Sequence, residues 1–326
     1  MQPKFWKNKN IMALSLLPLS LLYPIAGRLR RATNNKPYRS KVPVVCVGNV
    51  TVGGAGKTPI VFAITELLKK DGFKVAIASR GYKGDITNPT IVDKNRHTVN
   101  SVGDEPLMLA RIAPTYIAKK RKAAIQMAEK NGANIIIMDD GLQNPTIAKD
   151  ISLLIIDGKY GVGNGFIMPA GPLREKLSAG IAKSDAIIIV GEGGFNIKKY
   201  PVLFKKSTPP VIHASLEPFG NLPDKSRPYI AFAGIGNPDK FFATLVENGY
   251  NLVEKIPFAD HYNYTDQDIN NLIHKSEETG AELITTEKDE VRLPLFARKK
   301  IRVLPVRIKW ANEKQIHNLL IQKLKK

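Results

Sequence analysis

The residues with the clearest chemistry lie in TVGGAGKT, residues 51–58. Gly53, Gly54 and Gly56 let the backbone turn its N–H groups inward, and with Thr51, Val52 and Ala55 they form a loop that can wrap phosphate oxygens. A helix beginning directly after the loop adds partial positive charge at its N-terminus. Lys57 then reaches the β- and γ-phosphates of a nucleoside triphosphate, and the Thr58 hydroxyl is a ligand for Mg2+. The usual pattern starts with glycine, where this chain has Thr51. Such sites also need an apolar strand ending in Asp, and NIIIMDDGLQ (134–143) supplies Asp139 and Asp140. Each of the two either serves the metal or its water, or caps the next turn. The nearest approach to a guanine motif, Thr286-Glu287-Lys288-Asp289, has its lysine one place too late, so ATP is the expected nucleotide.

The elements that must position these residues alternate along the chain. VVCVGNV (44–50) is a short continuous apolar run, the pattern of a strand buried on both faces. TPIVFAITELLKKDG (58–72) has helical spacing that stops at Gly72. KVAIAS (74–79), NIIIMDD (134–140), ISLLIID (151–157) and DAIIIV (185–190) read as further strands, with helices over 104–112 and 118–131. This order predicts a P-loop NTPase fold, a doubly wound, mostly parallel α/β sheet with ligands beyond the carboxyl ends of its strands. After a proline-rich stretch, a second α/β pattern has strands at 229–235, 251–258, 281–286 and 301–310 and helices at 238–248 and 266–279. A basic amphipathic helix ends the chain. The expected domains are an N-terminal apolar and basic segment (1–41), a P-loop domain (42–205), a linker of extended strands (206–228) and a smaller α/β domain (229–326).

The chain has 326 residues, 43% of them apolar, and 49 Lys+Arg against 29 Asp+Glu give a formal charge of +20. These values exclude a disordered chain and allow two cored domains. The single cysteine, Cys46, excludes an internal disulfide and any CxxC site. The positive excess suits nucleic acid, an anionic membrane or a phosphorylated substrate. No aromatic-basic stacking platform or zinc module is present, so nucleic acid is not an expected partner. The charge gathers at the ends: residues 1–41 hold nine basic residues and no acid, and 298–326 hold ten against Glu313 alone. Between Lys9 and Arg28 runs the uncharged NIMALSLLPLSLLYPIAG, which lacks a clear A-x-A cleavage site. At 18 residues and with Pro18 and Pro24 inside, it is at the lower limit for spanning a bilayer. It reads either as a helix lying in or dipping into a membrane, with Phe5, Trp6 and Tyr23 near the interface, or as an apolar helix that caps a domain or makes a dimer contact.

An ordered set of motifs spreads over most of the chain: GNVTVGGAGKTP (48–59), SRGYKG (79–84), GDEP (103–106), DDGLQ (139–143), PAGPLRE (169–175), FADHY (258–262) and TTEKD (285–289). In this set the sequence resembles the tetraacyldisaccharide 4'-kinases, the kinases of lipid A biosynthesis, in which threonine at the first loop position is ordinary. The resemblance implies transfer of the ATP γ-phosphate, with Mg2+, to the 4'-hydroxyl of a tetraacylated disaccharide 1-phosphate. It also implies an enzyme peripheral or monotopic on the cytoplasmic side of the inner membrane, where anionic lipids surround a lipid substrate.

The resemblance implies roles for further residues. Asp104 in GDEP is the expected base for the acceptor hydroxyl, although its place before EPLMLAR also suits a helix cap. His261 is expected to pair with Asp104 across a cleft that closes between the two domains. Glu175 is a further expected Mg2+ ligand beside Thr58, Asp139 and Asp140, and Arg174 neutralises developing phosphoryl charge, unless the two form an ordinary surface ion pair. Arg80, Tyr82 and Gln143 are expected at the substrate. Lys288 and Asp289 are expected to order a loop at the domain interface. Two other classes share the phosphate loop: a metallochaperone or targeting NTPase, and a nucleic-acid ATPase. Cys46 inside a buried strand disfavours the first, and the missing recognition signature disfavours the second.

Overall fold

The apolar runs pair with one another because each is buried on both faces and none carries enough polar groups to face water. The computed structural model describes residues 3–21, 36–193, 195–197 and 209–325. Its strands are β1 (Val44–Asn49), β2 (Val75–Ser79), β3 (Thr90–Ile91), β4 (Thr115–Ile117), β5 (Ile135–Asp139), β6 (Ile151–Asp157), β7 (Ala186–Val190), β8 (Val211–Pro218), β9 (Pro228–Ala233), β10 (Asn251–Pro257), β11 (Glu282–Thr286), β12 (Ile301–Leu304) and β13 (Val306–Trp310). The helices are α1 (Ile11–Ser15), α2 (Lys57–Lys70), α3 (Val99–Val102), α4 (Asp104–Leu109), α5 (Arg121–Lys130), α6 (Leu177–Ala182), α7 (Pro238–Glu247), α8 (Asp266–Thr279), α9 (Glu287–Glu290) and α10 (Glu313–Leu324).

Nine strands form one sheet in the order β13-β8-β7-β6-β1-β5-β2-β4-β3. β1 pairs in parallel with β5 and β6, and β3 runs antiparallel to β4 at the edge. The chain leaves β1 toward β2 and later returns to β6 on its other side. β1 is thus the point where the winding reverses, where ligands of such sheets bind. Side chains alternate strictly. Val45, Val47, Ile135, Ile137, Leu153 and Ile155 share one core with Ile60, Ile64 and Leu68 of α2. Val44, Cys46, Ile136, Met138, Leu154 and Ile156 share the other with Ala124 and Ile125 of α5 and Ile181 of α6. Burial pushes the Cys46 thiol up to about 11, so it is an inert packing group.

The chain divides into two units. Residues 217–307 form the smaller one and residues 2–216 with 308–326 the larger. The smaller unit has a four-stranded sheet, β10-β9-β11-β12, with apolar clusters on both faces. This differs from the expected domains in two ways. The supposed linker contains β8, which hydrogen-bonds into the large sheet, and the C-terminal segment belongs with the larger unit. The apolar pattern of 301–310 predicts one strand, but Pro305 divides it. A residue without an N–H cannot continue the ladder, so β12 joins the small sheet and β13 the large one. Ile308, Trp310, Ile316 and Leu320 then complete the α2 core.

The N-terminal segment also departs from expectation. α1 ends at a turn at Leu16 and residues 17–21 form a second helical piece, while Tyr23 and the rest of the apolar stretch lie outside the described residues. No described helix is long and apolar enough to cross a membrane. Trp6, expected near a lipid interface, is instead buried, and its indole N–H donates to Pro169 O at 2.9 Å. An indole packed inside protein takes such a partner. Ser20 donates to Ile167 O and accepts from Ala170 N–H, and Asn164 Nδ2 donates to Phe5 O. The segment is therefore laced onto the loop 162–173.

Close backbone approach beneath the phosphate loop leads to one expectation. A Cβ on Gly48 would stand 2.7 Å from Leu142 Cβ. Both residues are fixed in the sheet and the following turn, so neither side can yield freely. Gly48→Ala is expected to lower stability by about 1–3 kcal/mol, the scale of overpacking. Chemical denaturation would show this as a lower midpoint with an unchanged slope, and an unaltered midpoint would reject the contact.

Candidate active site

The phosphate loop is fixed at both ends. Val47 and Gly48 run along the sheet centre, and the backbone turns through Gly53 (φ 102°) and Gly56 (φ 79°), a left-handed residue that caps α2. Side chains rarely adopt those angles, which accounts for glycine at both positions. A second segment holds the loop from outside. Val52 N–H donates to Pro172 O, Arg174 N–H donates to Val50 O, and Thr51 bridges Leu173. PAGPLRE is thus a strap beside the phosphate loop, and its register delivers Arg174 and Glu175.

Three charged groups meet at the end of β5. Lys57 Nζ lies 3.7 Å from Asp140 Oδ1, and Arg174 Nη1 donates to both Asp140 oxygens at 3.0 and 3.1 Å. Lys57 also donates to Asn49 Oδ1 at 3.3 Å, and Asn49, fully buried, donates to Thr51 O. Asp140 sits at φ 49°, a conformation that aspartate tolerates better than most residues. Burial works to raise its pKa, but Lys57 and Arg174 outweigh burial and hold the carboxyl below its usual range. Asp139 behaves oppositely. Burial first, then the charges of Glu105 and Asp140, push it up to about 7. Ser79 Oγ donates to it at 3.3 Å.

A buried and a half-buried carboxylate of unlike affinity for protons, with two cations and an N–H-rich loop, suit a group whose negative charge changes during reaction. The geometry also tests the expected metal set. Gln143 donates to Glu175 Oε1 at 3.0 Å and Lys183 pairs with Oε2 at 2.5 Å. Among the described residues no three His, Cys, Asp or Glu converge to hold a metal. Glu175 is bound to Gln143 and Lys183, as Asp140 is to Arg174 and Lys57, so each expected carboxylate ligand with a cation beside it is held by protein groups here. What the strand end does offer, two carboxylates beside the phosphate loop, is the donor set that Mg2+ uses when nucleotide phosphates supply further oxygens.

The remaining expected residues fall on neighbouring loops. Asp104 is buried and is the first residue of α4, with Gly103 (φ 89°) as the cap, and its Oδ1 accepts Glu105 N–H at 3.0 Å. It thus binds its own turn's backbone without occupying the cap position. The SRGYKG loop lies directly on it, since a Cβ on Gly103 would meet Tyr82 O at 2.4 Å. Arg80 and Tyr82 are exposed. Gln143 Nε2 donates to Asn49 O at 2.8 Å, so it joins the strap to β1. His261 lies in the smaller unit, with φ 59° and its side chain mostly buried. Sequence reasoning passed over Asn49 and Arg121. Asn49 stood inside the first motif, buried polar beside a lysine. Arg121, whose Nη2 donates to Asp139 O and Asp140 O, had no signal, because it opens the helix before β5 as one basic residue among several.

Several known proteins resemble this chain over most of its length. A family model, LpxK, described as Tetraacyldisaccharide-1-P 4'-kinase, matches residues 12–325. A protein of Paramagnetospirillum magneticum named Tetraacyldisaccharide 4'-kinase is 44% identical over 309 residues, 94% of each chain. One of the same name from Rhodospirillum rubrum is 43% identical, covering 94% of this chain and 92% of its own. Among solved structures, the "apo" form of LpxK from Aquifex aeolicus in complex with ATP superposes with a TM-score of 0.77 at 28% identity, covering 96% of this chain and all of that one.

The Asn49 anchor can be checked alone. Asn49→Ala removes the neutral acceptor that holds the Lys57 ammonium and frees the loop at Thr51. Hydrogen bonds to charged groups contribute about 1.5–3 kcal/mol, so ATP affinity should fall about tenfold or more by calorimetry. Wild-type affinity in this variant would remove Asn49 from the phosphate site.

Proposed function

The chain belongs to the tetraacyldisaccharide-1-P 4'-kinase family, and from that membership we propose which of its residues carry the reaction. The protein is an ATP-dependent kinase of lipid A biosynthesis that phosphorylates the 4'-hydroxyl of tetraacyldisaccharide 1-phosphate. The observation that carries the residue assignment is the convergence of Lys57 and Arg174 on Asp140 at the mouth of the phosphate loop.

In this reading the backbone N–H groups of residues 51–58 hold the triphosphate. Lys57 and Arg174 stabilise the charge that spreads over the transferring phosphoryl oxygens. Mg2+ would be held by Thr58, Asp139 and Asp140, where it would neutralise phosphate charge and set the group in line. Glu175 orders the strap through Gln143 and Lys183. Asp104 accepts the proton of the attacking hydroxyl as the new O–P bond forms, and His261 of the smaller unit serves in proton transfer. Arg80 and Tyr82 contact the sugar phosphate.

The N-terminal segment gives membrane association a physical basis. Ile11, Met12, Leu14, Leu19 and Leu21 are all exposed, beside Lys4, Lys7 and Lys9, while Trp6, Ala13 and Ser20 point inward. Such a surface suits burial at the boundary of an anionic bilayer. On this reading the enzyme rests on the cytoplasmic face of the inner membrane.

Three outcomes test the reading. Transfer of label from γ-labelled ATP to tetraacyldisaccharide 1-phosphate in detergent micelles is expected, and ATP turnover without labelled lipid would reject the acceptor. Asp104→Ala should cut turnover by about 10²- to 10⁴-fold with ATP binding retained, and near-normal turnover would remove it as the base. Serine at positions 11, 12, 19 and 21 should release the protein from anionic vesicles without disturbing the Trp6 and Ser20 contacts. Unchanged partitioning would mean that the anchor lies elsewhere.

A further inference from the structure

The TTEKD segment has no part in the chemistry described so far, yet it anchors a buried polar cluster of the smaller unit. Asp289, on the one-turn helix α9, is fully buried. Its Oδ1 accepts Gly234 N–H at 2.9 Å and the Tyr264 hydroxyl at 2.7 Å, and its Oδ2 accepts Thr286 Oγ1 at 2.6 Å. Arg292, one turn on and also buried, lies 3.4 Å from Asp289. Its Nη1 donates to Gly234 O at 2.8 Å and to Tyr262 O at 3.3 Å, and its Nε donates to Lys288 O at 3.1 Å.

These bonds share one destination. Gly234 O also accepts the backbone N–H of His261 at 2.9 Å, and Tyr262 is the next residue. His261 itself has φ 59°, a left-handed angle uncommon for a residue with a side chain. The pair thus grips both sides of the backbone unit that bears the imidazole. The space is tight as well: a Cβ on Gly234 would stand 3.0 Å from the Tyr264 hydroxyl and 3.1 Å from Ala259 O. From the same helix, Lys288 Nζ comes within 3.5 Å of His261 Nε2, and Asp260 Oδ1 lies 3.8 Å from that nitrogen.

The energetics favour a positional role over a purely stabilising one. A buried ion pair loses the hydration of two charges, and well-packed apolar residues of similar size often do as well or better for stability. Apolar residues cannot, however, satisfy the Gly234 N–H and the Gly234 and Tyr262 carbonyls, nor fix the turn between them. The neighbouring aromatic rings, Phe232, Phe258, Tyr262 and Tyr264, already supply the apolar cohesion of this loop.

We infer that Asp289 and Arg292, with Tyr264, are positioning residues that hold His261 in its left-handed conformation for phosphoryl transfer. The inference rests on the participation of His261 in proton transfer given above. Asp289→Asn and Arg292→Lys are expected to lower kcat by about 10- to 100-fold, the scale of a misplaced reacting group, with KM for ATP nearly unchanged. The loss should vanish in a His261→Ala background, because there is then no imidazole to misplace. The imidazole C–H resonance of His261, assigned by its absence in His261→Ala, should shift in both variants. Equal fractional losses in the two backgrounds, or an unmoved resonance, would overturn the inference. If His261→Ala alone keeps normal turnover, the catalytic assignment of His261 fails, and the resonance still reports on the positioning. Should Asp289→Asn fail to fold, Tyr264→Phe removes one hydroxyl only. It should give a loss of about two- to tenfold that is again absent without His261.

Discussion

The Asp140 carboxylate receives both Lys57 and Arg174, and much of the larger unit serves to keep that meeting in place. The lysine arrives from a loop that only glycines can turn, at the end of the central strand. The arginine arrives from a strap stitched to that loop by backbone hydrogen bonds. The aspartate sits in a left-handed turn, and its carbonyl, like that of Asp139, is held by Arg121. None of these groups could hold its position alone. Two cations close together repel, and the carboxylate between them allows both to stand where phosphate oxygens come.

The two neighbouring aspartates also show how environment assigns unlike roles to like residues. Asp140 faces cations and stays ionised, whereas Asp139 faces burial and other carboxylates and holds its proton more tightly. The sequence presents them as an undivided pair, and only the side to which each points separates them.

Much of the fold was legible because it rests on apolar runs and glycine turns, which act locally. The strands of the large sheet around the phosphate loop, α2 and the helices of the second pattern all follow from spacing. The failures share a cause. Residues 301–310 keep an alternating pattern through Pro305, and the pattern does not record that two sheets share it. The strands Thr90–Ile91 and Thr115–Ile117 are too short to have a period. Trp6 read as an interfacial residue because it is an aromatic among lysines beside an apolar stretch, while its actual partner, Pro169, is remote in sequence. The motifs placed Lys57, Asp139, Asp140 and Arg174 at one site. They left out Asn49, although it stands inside the first motif, and Arg121, whose bonds to backbone carbonyls leave no mark in its own segment.

Pro305 has a consequence for how the protein is made. β8 and β13 are neighbours in the large sheet, and all of the smaller unit is threaded between them. The smaller unit is therefore an insertion, and the larger unit is discontinuous. A ribosome adding about 5–20 residues per second finishes the phosphate loop early but supplies Trp310, Ile316 and Leu320 only at the end. Until then one face of the nucleotide-binding sheet lacks part of its cover, while the insertion has all of its own core. The smaller unit is thus free to fold first, and the larger one closes around the strands that hold it last.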